Sequence, residues 1–425
     1  MTELGVWDDY PSDLYAVGDI HGDWNILIHV LKDLAKVISI DNDTLKWNGS
    51  DKWLVFCGDL VDRYRKRPGV KFTVDDENND VKIIKTLIEL NKQAETFGGK
   101  IILLFGNHEL LNFEGIYNYV SIKGNTEERK QQFKRGSEFS LLLSKNVYLS
   151  AKIKNWVFVH GGFCPTAFED NPYMQNGNVI HKLNNILRQY LVYPDFFENN
   201  NISSNDKAQM KILIQALYGI NENKSPLNCR HYGSNVDLDT CSQEIVNKVF
   251  KYLFKNPESG KMVIAHTPQF IYNMNINSTC SDKVWRIDIG MSRAFDEHID
   301  LIEKMIVKIG LKLINQLKEL IKQDLYRYMA ILKINKKKEE VITEKKFSRN
   351  VYYQKEIEKS EALFTIHRLE QLRNKIQDNI LLLNDDIKYQ KEEIISKINL
   401  LISFLREKHS SILKGGFNKK NIYLI

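Results

Sequence analysis

Six side chains in the first 270 residues are of the types that bind divalent metal, and each follows a short apolar run. Asp19 and His21 stand in GDIHGD (Gly18 to Asp23), Asp59 in GDLVDR (Gly58 to Arg63) and Asn107 in GNHE (Gly106 to Glu109). His160 opens HGG (His160 to Gly162), and His266 stands in AHTP (Ala265 to Pro268). Carboxylate and amide oxygens together with imidazole nitrogens suit Mn, Fe or Zn. Asp19 and His21 are two residues apart, so an extended backbone turns both to the same side. Six ligands serve two cations if one carboxylate bridges. Two such ions, about 3.5–4 Å apart, can activate a water and hold both the attacking and leaving oxygens of a displacement.

Ligands so distant in sequence converge only if the strands that end in them lie side by side. The apolar runs Leu14 to Asp19, Trp53 to Asp59, Lys100 to Asn107, Asn155 to Gly162, Lys261 to Pro268 and Lys283 to Gly290 read as strands buried on both faces. Helical spacing separates the first of them: Trp24, Leu27, Ile28, Leu31, Leu34 and Ile38, then a stretch from about Val81 to Gln93. This alternation predicts an α/β fold whose functional residues sit at the carboxyl ends of strands. Residues 165–225 are Asn-rich and less regular, and are expected to form a cap or insertion.

The chain has 425 residues, 43% hydrophobic and 27% charged, which excludes collagen, a disordered chain and a disulfide mini-protein. The net charge of +6 conceals an asymmetry: residues 301–425 carry +10 and the remainder −4. All eight prolines lie at or before Pro268, so a domain boundary is expected near residue 300, with 1–298 catalytic and 299–425 a helical extension. Five cysteines (Cys57, Cys164, Cys229, Cys241, Cys280) without CxxC spacing argue against a disulfide framework and a zinc knot. Free thiols, an acidic N-terminus without an apolar core and the lack of a long apolar run predict a cytoplasmic protein with no signal peptide and no transmembrane segment.

The five motifs in this order resemble those of the calcineurin-like metallophosphoesterases, and within them the serine/threonine protein phosphatases of the PPP family. The likeness covers roughly residues 12–295. SPLNCRHY (Ser225 to Tyr232) and WRIDIGMSRAF (Trp285 to Phe295), with AHTPQ, are similar to segments of the bacterial-type, Shewanella-like branch. The resemblance implies a four-layer α/β/β/α sandwich around two divalent ions, Mn in vitro, with Fe or Zn as alternatives. Asp19, His21 and Asp59 would hold the first; Asp59, Asn107, His160 and His266 the second, with Asp59 bridging. His108 would protonate the leaving alkoxide, oriented by Asp62, while Arg63 and Arg230 would grip phosphate oxygens. Guanidinium presents a planar fork to such a dianion, and an imidazole titrates near neutrality, which suits a general acid. Glu109 is expected to fix the loop, Cys164 to pack and Asp288 to orient a loop near the site. Three positions depart from the family pattern: Tyr64 replaces a Gly, Phe105 an Arg and Asn228 a Trp.

The activity implied is phosphoprotein phosphatase chemistry on serine or threonine, with tyrosine a further substrate, by direct attack of a metal-bound hydroxide. Two alternatives stand beside it: a diadenosine tetraphosphate hydrolase or other nucleotide phosphoesterase, and an inactive scaffold that recruits partners through its tail. Asp62 favours the phosphatase over the first, and the full ligand set disfavours the second. In the tail, apolar residues at 3–4 spacing run from Ile302 to Ile331 and from Leu369 to Leu405, the pattern of long amphipathic helices, an antiparallel hairpin or a coiled coil. Such a face suits a protein partner. The basic residues Lys333 and Lys336 to Lys338 suit nucleic acid or an anionic membrane, or merely a solvated turn.

Overall fold

The computed structural model describes residues 3–42, 44–65, 78–169, 171–234, 241, 243–269, 274–295, 329–336 and 338–344, and positions 370, 373, 395, 396, 398, 399, 402, 403 and 406. Among these, two six-stranded sheets carry the fold. The first contains β2 (Asp13–Val17), β5 (Trp53–Phe56), β6 (Lys100–Leu104), β7 (Val147–Tyr148), β13 (Met329–Asn335) and β14 (Glu339–Glu344), in the order β14-β13-β2-β5-β6-β7. The second contains β1 (Val6–Trp7), β8 (Ser150–Ile153), β9 (Trp156–Val159), β10 (Lys261–Ile264), β11 (Asn277–Thr279) and β12 (Val284–Arg286), in the order β1-β8-β9-β10-β12-β11. A separate hairpin joins β3 (Ile38–Asp41) to β4 (Thr44–Trp47).

Register explains why the motifs meet. β2, β5 and β6 run parallel, with Val17 opposite Phe56 and Phe56 opposite Leu103, so their carboxyl ends are level. In the second sheet Val263 lies opposite Phe158 and Ile264 opposite Arg286, which levels the ends of β9, β10 and β12. The central strands are buried along almost their whole length, as near-continuous apolar runs require. The helix Asp80–Glu95 packs on the first sheet, presenting Ile83, Ile84, Leu87, Ile88 and Leu90 inward at 3–4 spacing. The helix Val179–Val192, in the segment 165–225, packs on β8. There the buried Asn184 accepts from the backbone N–H of Leu149 and Ser150 (2.7 and 3.2 Å). Sheets and helices together form the expected mixed α/β architecture.

Two expectations are corrected. Met329 to Ile331 fit the helical spacing of the tail, yet Met329–Glu344 forms a β-hairpin whose first strand pairs antiparallel with β2. A short apolar run has no decisive period, and Met329, Ala330, Ile331, Leu332 and Ile334 are all buried in the sheet. Of the basic residues, Lys333 lies on the first strand of this hairpin and pairs with Asp13 (3.0 Å), Lys336 follows that strand and pairs with Asp9 (3.1 Å), and Lys338 pairs with Glu340 (3.8 Å), so these three charges are matched within the fold. Likewise, four of the five cysteines are paired, Cys164 with Cys229 and Cys241 with Cys280, while Cys57 is free and buried. Sequence spacing does not reveal such pairs; the contact of the HGG turn with Pro226 brings Cys164 to Cys229.

The chain divides into two compact units, Met1–Phe295 with Tyr328–Glu344, and Asp296–Arg327 with Lys345–Ile425. In the second unit Arg406 pairs with Glu370 (2.7 Å), and Arg373 donates to Asn399 (3.2 Å), an antiparallel pairing of two segments. Residues 302–328 of the helix expected over 302–331, and most of 369–405, lie outside the described residues. No helix among the described residues is long and apolar enough to cross a membrane.

Candidate metal centre

The level strand ends bring all six expected ligands into one buried cluster. His21 Nε2 lies 3.6 Å from an Asp19 oxygen and 3.9 Å from Asp59 Oδ2. His160 Nε2 lies 3.2 Å from the same Asp59 oxygen and 2.9 Å from Asn107 Oδ1. The His266 ring sits 5.0 Å from the His160 ring, and Asp59, His160 and His266 offer donor atoms within 4.8 Å of one another. Asp59 thus stands between the two groups.

The backbone is bent to achieve this. His21, Asp59, Asp62 and His266 all have φ between +45° and +70°, the left-handed region that non-glycine residues seldom enter. At Gly106 a Cβ would lie 2.2 Å from Asp59 Oδ1, so only glycine fits beside the shared carboxylate. Glu109 ties the loops together. Its carboxylate accepts from the backbone N–H of Gly106 (2.7 Å), Asp59 (3.0 Å), Leu60 (2.7 Å) and Val61 (3.3 Å), the loop-fixing role expected of it. Burial beside Asp59 pushes its carboxyl up to about 8, against the pull of those N–H groups.

Imidazole orientation follows from the partner of each Nδ1. Those of His21 and His160 meet the carbonyls of Val61 (3.0 Å) and Cys57 (2.8 Å), which only accept, so Nδ1 carries the proton and Nε2 faces the cluster. The donor set fits divalent metal. Three carboxylates, Asp19, Asp59 and Asp288, are buried together. Burial, with Asp288 and Asp59 alongside, pushes Asp19 well above the carboxylate range, and burial raises Asp288 to about 6. His266 Nε2 and Asp288 Oδ2 are buried without a hydrogen-bond partner. Unpaired buried groups of this kind are costly, and a cation satisfies them.

Beside the cluster stands His108, whose Nε2 is 3.8 Å from Asp59 Oδ2 and whose Nδ1 is 2.9 Å from Asp62 Oδ2. Asp62 is itself held, through Oδ1, by Asn112 Nδ2 (2.8 Å) and Arg129 Nη2 (2.9 Å). Arg129 reaches on to Asp80 (2.7 Å), which also accepts from the Asp62 N–H (2.9 Å). Burial disfavours the charged guanidinium, but Asp80 and Asp62 outweigh it and hold Arg129 above its ordinary value.

The two expected anion-gripping arginines differ. Arg230 is exposed, with Nη1 3.4 Å from the His266 carbonyl and 3.4 Å from Thr267 Oγ1. Arg63 is buried, and its guanidinium reaches Gly22 O (3.5 Å) and Asp23 (3.9 Å). Asp23 is in turn clasped by Arg293 through Nη2 (2.8 Å), Nε (3.0 Å) and the backbone N–H (2.8 Å). The Arg65 guanidinium meets His21 Nε2 at 2.7 Å. Arg65, Asn112 and Arg129 are absent from the sequence reading. Asn112 follows His108 by four residues, one helical turn, the single local signal available.

A family model described as calcineurin-like phosphoesterase matches residues 13–270. Shewanella-like protein phosphatase 2 of Arabidopsis thaliana is 25% identical over 348 residues, covering 75% of this chain and 81% of that protein. Shewanella-like protein phosphatase 1 of Plasmodium berghei (strain Anka) is 31% identical over 164 residues, 36% of this chain and 40% of that one. The crystal structure of a mutant cold-active protein tyrosine phosphatase superposes with a TM-score of 0.51 at 17% identity, covering 80% of this chain and 82% of that chain, a likeness of fold.

Proposed function

The chain belongs to the calcineurin-like phosphoesterase family, metal-dependent hydrolases of phosphate esters, and from that premise we propose that it is a phosphoprotein phosphatase acting on phosphoserine and phosphothreonine, and on phosphotyrosine as well. Asp19, His21 and Asp59 would hold one divalent ion, and Asp59, Asn107, His160 and His266 the other; oxygen and imidazole donors suit Mn, Fe or Zn. When bound, such a pair activates water and neutralises charge on the phosphoryl oxygens.

The observation that carries the reading is the His108–Asp62 contact at 2.9 Å, beside the shared Asp59. An alkoxide from serine or threonine is a poor leaving group and needs a proton. Asp62, accepting from Nδ1, leaves the Nε2 proton to be delivered to that oxygen, as general acid catalysis requires. The pair Asn112 and Arg129 holds Asp62 so that it cannot turn away. The exposure of Arg230 beside His266 supports a role for it in meeting an anion from outside. The names of the Arabidopsis and Plasmodium relatives support protein substrates.

The test is hydrolysis of phosphoserine, phosphothreonine and phosphotyrosine peptides beside p-nitrophenyl phosphate and dinucleoside polyphosphates, with and without Mn. Metal-dependent turnover of the peptides is expected. Turnover of dinucleoside polyphosphates alone would transfer the assignment to nucleotide hydrolysis, and no turnover of any of them would leave the scaffold reading.

A further inference from the structure

Two rings meet the His108 imidazole edge to face. That of His21 lies 4.9 Å away with 80° between the planes, and that of Tyr119 lies 4.8 Å away with 72°. Their surroundings differ. His21 is buried among the candidate ligands, whereas Tyr119 is 36% exposed. The loop that carries Tyr119 is nonetheless held at several points. The Tyr119 carbonyl accepts from the Tyr64 N–H (2.8 Å), and the Val120 N–H donates to the Tyr117 carbonyl (3.2 Å). Val120 and Ser121, the next two residues, are buried. The fold thus keeps one aromatic ring against His108 and against solvent at the same time.

That position bears on the leaving group. With Nδ1 on Asp62, His108 delivers its proton from Nε2, and the accepting oxygen must come within about 2.6–3.2 Å of that atom. In a phosphoprotein the oxygen belongs to the side chain being released, and the backbone behind it must run out to solvent. Of the two rings against His108, Tyr119 is the one that reaches solvent. We propose that Tyr119 is a specificity-determining residue of this phosphatase, the wall on which the released side chain lies. An aryl group gains an aromatic pair there, offset or edge-on, beyond the area it buries. The single carbon of a serine side chain gains nothing comparable, so the wall favours phosphotyrosine over phosphoserine. The proposal rests on the reading of His108 as the general acid of a phosphatase.

The test uses the full chain loaded with manganese, a phosphotyrosine and a phosphoserine peptide of otherwise identical sequence, and inorganic phosphate as a competitive inhibitor. Tyr119→Ala should raise KM for the phosphotyrosine peptide by about 10-fold, the upper range for a lost aromatic pair, and for the phosphoserine peptide by about 3-fold or less. The inhibition constant of phosphate should not change, because phosphate carries no released side chain. Tyr119→Phe keeps the ring and should match the wild type on both peptides. Tyr119→Leu keeps bulk without an aromatic face; it should lose the same preference, and it serves if the alanine variant does not fold. KM values that change equally for the two peptides, or not at all, overturn this assignment alone. So does a loss confined to kcat and largest for phosphoserine, the mark of a ring that merely orients His108. A wild type that hydrolyses the phosphoserine peptide only also overturns it alone. A wild type that hydrolyses neither peptide overturns the phosphatase reading and this assignment with it.

Discussion

Behind the strand ends of the first sheet runs a line of buried side chains, from His108 through Asp62 and Arg129 to Asp80, each within 2.9 Å of the next. At the strand ends of the second sheet the loops are tied differently. Gly161 and Gly162 donate to the Pro226 carbonyl (2.8 and 3.1 Å), and Cys164 is bonded to Cys229, next to Arg230. The first arrangement fixes the orientation of one imidazole. The second fixes the position of a loop that carries an exposed cation. Catalytic rate should therefore depend on the first region, and stability together with anion placement on the second.

The largest effect lies where the two regions meet. Asp59→Asn removes the carboxylate common to both ligand groups and should abolish metal-dependent turnover; wild-type rates in that variant, in a phosphatase assay, would leave the shared-ligand account without support. Within the first region, His108→Asn should keep its metal but slow turnover by about 10²–10⁴-fold, the usual share of a general acid. Kinetics on esters with good and poor leaving groups check this, since the loss should be greatest for the poor ones. One contact further back, Arg129→Met should slow turnover by about 10–100-fold, as loss of an orienting partner does. It should also cost about 3–5 kcal/mol in denaturant unfolding, because Asp62 and Asp80 lose the cation between them. In the second region, Cys164→Ser should cost about 2–5 kcal/mol of stability while changing turnover only a few-fold. A larger loss of rate than in Arg129→Met would reverse the comparison drawn between the regions.

The grouping of the candidate ligands was legible because chemistry and local structure coincide there. Asp19, Asp59, Asn107, His160 and His266 each follow an apolar run, and parallel strands in register bring the ends of such runs together. Arg129 was not legible: it lies 67 residues from Asp62, and nothing in EERKQQ distinguishes it from a surface arginine. Asp288 was seen only as a loop-orienting residue, since one carboxylate at a strand end carries no sign of the two beside it. The β-hairpin Met329–Glu344 was hidden for another reason. MAILKIN suits helix or strand by its spacing, and only the open edge of β2 decides between them. Leu332→Ala should accordingly destabilise the first unit by about 2–5 kcal/mol, with metal content unchanged; a stability equal to wild type would detach the hairpin from the sheet. The cysteine pairs follow the same logic, and with them the inference from free thiols to a reducing compartment falls away.

A dinuclear centre in this chain requires one carboxylate, Asp59, to serve two ions. Elemental analysis of the purified full chain, after manganese loading and removal of free metal, tests it most directly. Wild type should hold about two ions per chain, the complement of a dinuclear centre, and Asp59→Asn, folded by circular dichroism, should hold almost none. A folded Asp59→Asn protein that retains the wild-type complement would contradict it.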